Sequence, residues 1–141
     1  MTDESIDVSS IRSSIPPRIV SGSRLEQLLA PPLAAAALLG KLIKLRDPET
    51  NGHSLRVALY TVMFSEALEM SPNAVVRAAK GAFLHDIGKL VVPDCVLGKP
   101  GPLDPEETRT MEKHVRYGLD LIMQAAELSD AVPVVSAHHE R

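Results

Sequence analysis

Apolar residues in this chain recur at the spacing of a helix, and prolines and caps cut that pattern into segments. Between Ser54 and Met70, Leu55, Leu59, Val62 and Met63 fall on one face of a 3.6-residue period among strong helix formers. Ser71 and Pro72 form an N-cap and N1 pair that opens the next segment, SPNAVVRAAKGAFLHDIG. Asp104, Pro105 and Glu107 repeat that signal with a capping-box partner, for a helix toward Tyr117 and another through Leu128. Upstream, helices are expected over roughly 24–30 and 32–46, because the proline pair fits a helix start and not an interior. DPETNG, with Pro48 and Gly52, should break the chain. VVPDCVLGKPGPL, with three prolines and two glycines, should form an irregular loop, and a last helix is expected over about 131–139. No run of alternating residues is bounded by hairpin turns, so the pattern predicts an all-α domain.

A length of 141 residues gives room for one core and little more. Residues 1 to about 22 are rich in Ser, Asp and Pro and read as a tail or linker, which leaves 23–141 as the domain. The composition is 45% hydrophobic and 23% charged, that of a soluble globular protein. No apolar run approaches the roughly 20 residues of a membrane span. The longest candidate, LLAPPLAAAALLG, is interrupted by Pro31 and Pro32 and lacks the basic region of a secretory signal, so a cytoplasmic location is expected.

Cys95 is the only cysteine, which excludes an internal disulfide framework and a cysteine-only zinc site. Histidine and carboxylate remain as metal ligands. The net charge of −3, scattered basic residues and absence of Trp argue against a surface for a nucleic-acid polymer.

The five histidines, His53, His85, His114, His138 and His139, all fall inside helices or at their ends as placed above. His85 and Asp86 are adjacent on one helix, so their side chains diverge by about 100°. They can grip one ion from two sides, or the carboxylate can bridge two ions. A bridging carboxylate is what two-metal hydrolytic sites require. Lys89 lies four residues after His85, on the same face if the helix persists, and could neutralise charge on a phosphoryl oxygen. The pair alone is a weak signal, since chance placement gives about 0.3 occurrences in a chain of this composition.

The joint pattern is more specific. DPETNGHSLRV around His53, FLHDIGKLVVPDCVLGKPGPLDPEE at the centre, MEKHVRYGLDLI around His114 and HHER at the end resemble the HD superfamily of metal-dependent phosphohydrolases. Within it they resemble the HD-GYP cyclic di-GMP phosphodiesterases, from about Leu33 to Arg141. The resemblance implies an HD-domain helical bundle with metal ligands at His53, His85, Asp86, His114, His138 and His139, Asp86 being the bridging carboxylate. It also matches Glu49 to a further carboxylate ligand of three-metal members, and Lys89 to the lysine that approaches the phosphate. It implies two or three divalent ions, most commonly iron or manganese, and opening of cyclic di-GMP to linear pGpG or on to GMP. Imidazole and carboxylate suit such first-row ions.

In that family HHER is followed by the GYP signature, a further aspartate ligand and basic residues, whereas Arg141 is the last residue here. The resemblance therefore implies a bundle incomplete at its C-terminus, with an exposed apolar face, a possible homodimer, and weak or no activity alone. Two other readings compete with the enzyme. One is a non-catalytic signalling module that binds a nucleotide or a diguanylate cyclase (GGDEF) partner. The other is a phosphohydrolase acting on another nucleotide, which KPGPLDPEE disfavours.

Overall fold

A computed structural model of the chain describes residues 34–140, and the expected tail and the helix over 24–30 lie outside that range. Among the described residues every regular element is an α-helix or a 3₁₀ turn, which agrees with the all-α expectation. The first pair is α1, Ala34–Arg46, and α2, Pro48–Ala67.

Only Asp47 separates them, so the break expected at DPETNG falls at this one residue and the rest of that stretch is helical. Asp47 is an N-cap whose Oδ1 accepts from the amides of Glu49 and Thr50, both at 3.1 Å, while the Thr50 hydroxyl donates to Oδ2. Pro48 stands in the first turn, where its missing N–H is no loss. The cap starts α2 six residues before Ser54, and Gly52 is carried within the helix. As a result Glu49, His53 and Arg56 occupy successive turns of one helix.

Helix α3, Pro72–Leu84, opens on Ser71 and Pro72 as the sequence indicates. It was expected to continue to Gly88 but ends at Leu84, and the chain tightens into a 3₁₀ turn at Ile87–Val91. A tertiary contact accompanies the change: Gly88 runs directly against the backbone of a later helix, α6, His114–Ile122. The expected loop over 91–103 contains the short α4, Asp94–Leu97, before it becomes irregular through Gly101, whose φ of 115° favours glycine.

Helix α5, Pro105–Glu112, begins with the complete capping box of Asp104 and Glu107. The helix expected to run toward Tyr117 divides at Lys113, so His114 begins α6. A 3₁₀ segment, Ala126–Ala131, then leads into α7, Val132–Ala137, shorter than the expected 131–139. His138 is its C-cap.

The core draws on most of these elements. Ala36 and Ile43 from α1, Leu84 from α3, Ile87, Ile122 and Val135 form one buried cluster. Complete burial of a side chain such as Leu84 contributes about 1.5–3 kcal/mol. Leu84 and Ile87 flank His85-Asp86, and Val135 lies three residues before His138, so the segments that fill the core also present the polar cluster. Lys80 ties α3 to the second 3₁₀ segment through Asp130, at 2.7 and 3.0 Å, and the carbonyl of Glu127, at 2.8 Å. No helix among the described residues is long and apolar enough to cross a membrane.

Candidate metal centre

Three helix C-terminal turns end at one place, and each anchors a histidine. His85 follows α3, His114 follows α5 and His138 follows α7. The last carbonyls of a helix lack intrahelical partners, and these rings take them up. His85 Nδ1 lies 2.7 Å from the carbonyl of Ala82, His114 Nδ1 2.7 Å from that of Met111, and His138 Nδ1 2.9 Å from that of Val135.

A carbonyl can only accept, so Nδ1 carries the hydrogen in each ring and Nε2 of the neutral imidazole presents a lone pair. Those lone pairs converge. His114 Nε2 is 3.1 Å from His138 Nε2 and 3.3 Å from His139 Nε2. His85 Nε2 is 3.2 Å from Asp86 Oδ2, and His114 Nε2 is 3.4 Å from Asp86 Oδ1. Neutral rings in this tautomer have no hydrogen to place between such acceptors. A cation or an added proton resolves the repulsion, and the negative ends of the helix dipoles favour positive charge at this point.

The donors form two sets, His53 with His85 and Asp86, and His114 with His138 and His139, each with one ligand atom per residue and all within 4.8 Å. The His53 ring meets His85 edge-on at 5.3 Å, and His138 lies 4.2 Å from His139, centroid to centroid. Asp86 faces both sets: Oδ2 lies toward His85, and Oδ1 toward His114 and, at 3.9 Å, His138. Imidazole nitrogen and carboxylate oxygen in this arrangement fit divalent first-row cations. The backbone carbonyls supply the outer contacts that fix ligand orientation in such sites.

Burial on its own would push the Asp86 carboxyl up. Hydrogen bonds from His85 and Lys89, and their positive charge, outweigh it and hold Asp86 well below the usual carboxylate range. Burial likewise opposes protonation of His85, but contact with Asp86 wins and raises it above the usual imidazole value. His114 and His138 are pushed down by burial, which keeps them neutral and available as ligands.

Lys89 reaches the cluster by a different route from the one expected. Since α3 ends at Leu84, Lys89 projects from the 3₁₀ turn and its Nζ donates to Asp86 Oδ2 at 2.8 Å instead of stacking above His85. Glu49 is exposed and lies outside both close donor sets, at the rim of an opening of about 600 Å³. His53, Asp86 and Lys89 line that opening and also the main cleft, of about 1040 Å³, where Val57, Leu97, Leu103, Met111 and Val115 supply apolar walls.

The sequence pattern brought every histidine to the cluster but missed Thr50, which is buried and lines both spaces, and Arg56 at the smaller opening. Reading Asp47-Pro48 as a helix start would have found both, at three and nine residues from the cap.

The chain is similar to known proteins over most of its length. It is 36% identical over 102 residues to 3'3'-cGAMP-specific phosphodiesterase 3 of Vibrio cholerae, covering 72% of this chain and 22% of that protein. It is 36% identical over 106 residues to the cyclic di-GMP phosphodiesterase of Thermotoga maritima, covering 74% and 29%. It is 34% identical over 105 residues to a cyclic di-GMP phosphodiesterase response regulator of Xanthomonas campestris pv. campestris, covering 73% and 28%. The chain thus spans less than a third of the length of these relatives. The model of the HD domain family matches residues 50–141, a stretch that contains Asp86 and all five histidines, and the chain belongs to that family.

Proposed function

We propose that this chain is the metal-holding part of an HD-GYP-type phosphodiesterase that hydrolyses a cyclic dinucleotide, cyclic di-GMP, to pGpG or GMP. The observation that carries the reading is the position of Asp86, one oxygen toward His85 and the other toward His114 and His138. His53, His85 and Asp86 would hold one ion, and His114, His138 and His139 with Asp86 a second. Glu49 would serve a third, if one is held. Iron or manganese suits these ligands.

Such ions, when bound, lower the pKa of water toward neutrality and offset the charge of a phosphodiester. The chain's own groups supply the rest. The carbonyls of Ala82, Met111 and Val135 hold the imidazole rings in the ligating tautomer. Lys89 offers an ammonium beside Asp86 that can turn to a phosphoryl oxygen and stabilise charge there. The apolar walls of the main cleft give nucleobases a surface and shed water from the reacting centre. The names of the relatives, cyclic di-GMP and cGAMP phosphodiesterases, support the choice of substrate class.

Elemental analysis with cyclic di-GMP turnover, on the protein that carries this chain, tests the proposal. Two or three transition ions per chain and manganese-dependent release of pGpG or GMP are expected. A protein that binds no transition metal would remove it.

A further inference from the structure

We infer that Arg56 is a substrate-binding residue that holds a phosphate at the smaller opening of the metal cluster, which adjoins the cleft with apolar walls and shares His53, Asp86 and Lys89 with it. The inference rests on the proposed phosphodiesterase reading and adds to it a residue and a place.

Arg56 stands one turn after His53 and two turns after Glu49 on α2, and it lines the opening of about 600 Å³ together with His53, Asp86 and Lys89. Its guanidinium lies back along α2 over Gly52. A Cβ added to Gly52 would lie 3.3 Å from Arg56 Nη1, so the absence of a side chain at 52 leaves the path open.

Two cations line this opening. Lys89 is engaged by Asp86 at 2.8 Å, whereas Arg56 has no hydrogen bond or ion pair among the described residues. Arg46, at the end of α1, contrasts with it, being tied to Asp94 at 2.6 Å and to the carbonyl of Val92. Arg56 is also exposed, so its guanidinium is accessible to a ligand.

A planar guanidinium with several donors suits bidentate contact with phosphate oxygens. A cyclic dinucleotide carries two phosphodiesters, and while one lies at the metal cluster the other needs a cation of its own. The rim also carries Glu49, whose charge opposes an anion. If Glu49 ligates a cation, as proposed above, that opposition is relieved and the rim is left positive.

The test uses the manganese-loaded protein with Arg56 unchanged, Arg56→Gln and Arg56→Lys. Calorimetric titration with inorganic phosphate, metal content, and KM and kcat for cyclic di-GMP are measured on each. Arg56→Gln should keep its metal and weaken phosphate binding about tenfold, an amount typical of a lost charged hydrogen bond. KM should rise by a similar factor while kcat changes little, and Arg56→Lys should recover part of the loss. A phosphate Kd within twofold of the unchanged protein overturns the inference, and so does loss of metal in step with loss of phosphate, which would make Arg56 a support for the cluster. If no form turns over cyclic di-GMP, the phosphate titration still decides the role of Arg56, and the proposed substrate alone falls.

Discussion

Gly88 lies so close to the backbone of His114 that a Cβ at position 88 would stand 1.8 Å from the His114 carbonyl oxygen and 2.4 Å from the Gly118 nitrogen. The atoms in the way are backbone and cannot swing aside. This contact sets the approach of α6 to the 3₁₀ turn, and with it the 3.4 Å separation of His114 from Asp86. Gly88→Ala should therefore cost at least the 1–3 kcal/mol usual for overpacking. It should also lower metal content, because any relaxation moves a side chain proposed as a ligand. Thermal melting and elemental analysis of the same sample check both, and a variant that melts lower yet keeps its full metal complement would show that the cluster is not set by this contact.

This contact also marks how far the sequence could be read. The helix starts were legible, since Asp104-Pro105 with Glu107 acts through neighbours in the chain, and the structure starts a helix there and at Ser71-Pro72, where the Ser71 hydroxyl makes no cap hydrogen bond. The grouping of the five histidines came from the resemblance of their flanking sequences to the HD superfamily. The end of α3 was not: helical propensity continues through FLHDIG, and the backbone of His114 and Gly118, 26 and 30 residues further along the chain, lies against Gly88. Lys89 was assigned a helical neighbour for the same reason. The Nδ1–carbonyl anchors were hidden in another way, because a ring three residues past a carbonyl finds it only where the helix ends, and boundaries are the weakest part of any reading by periodicity.

Asp86 and Lys89 should separate in their effects although they are 2.8 Å apart. Asp86→Asn keeps the shape and removes the charge between the two donor sets, so metal and turnover should be lost together. Lys89→Ala removes a hydrogen-bond donor from Asp86 without removing a ligand. Metal content should stay near that of the unchanged protein while kcat falls by about 10²-fold, the scale of losing one stabilising donor in the transition state. Equal loss of metal in the two variants would overturn the role given to Lys89.

Asp104 gives a prediction for pH, independent of any metal. The amides of Glu107 and Glu106 donate to its carboxylate, at 2.9 and 2.8 Å, and with Lys99 nearby hold it below the usual range. A carboxyl whose folded pKa is depressed contributes stability above its unfolded pKa, near 3.9, and loses it as pH falls through the folded value. Asp104→Ala should lower the melting temperature at pH 7, and the gap between variant and parent should narrow as pH is taken below about 4. A gap that stays constant down to the acid limit would mean that the cap acts through shape and not through charge.

Gly81 positions the other half of the cluster, because a Cβ there would lie 2.5 Å from Val134 Cβ and 2.6 Å from its Cγ2. Val134 belongs to α7, which carries His138 at its end, so Gly81→Ala should push α7 away from α3 and draw His138 and His139 back from His114. His53, His85 and Asp86 stand on α2 and just past the end of α3, and form a donor set that contains no residue of α7. Gly81→Ala should therefore lose the ion assigned to His114, His138 and His139 and retain the one at His53, whereas Gly88→Ala disturbs the link between the two sets. Moving the missing side chain across the contact provides a control. Gly81→Ala combined with Val134→Gly removes the clash at a helix cost of about 0.5–1 kcal/mol and should restore the metal count of the parent. Failure of the double variant to recover the ion, with the fold intact, would place the cause of the loss somewhere other than the α3–α7 spacing.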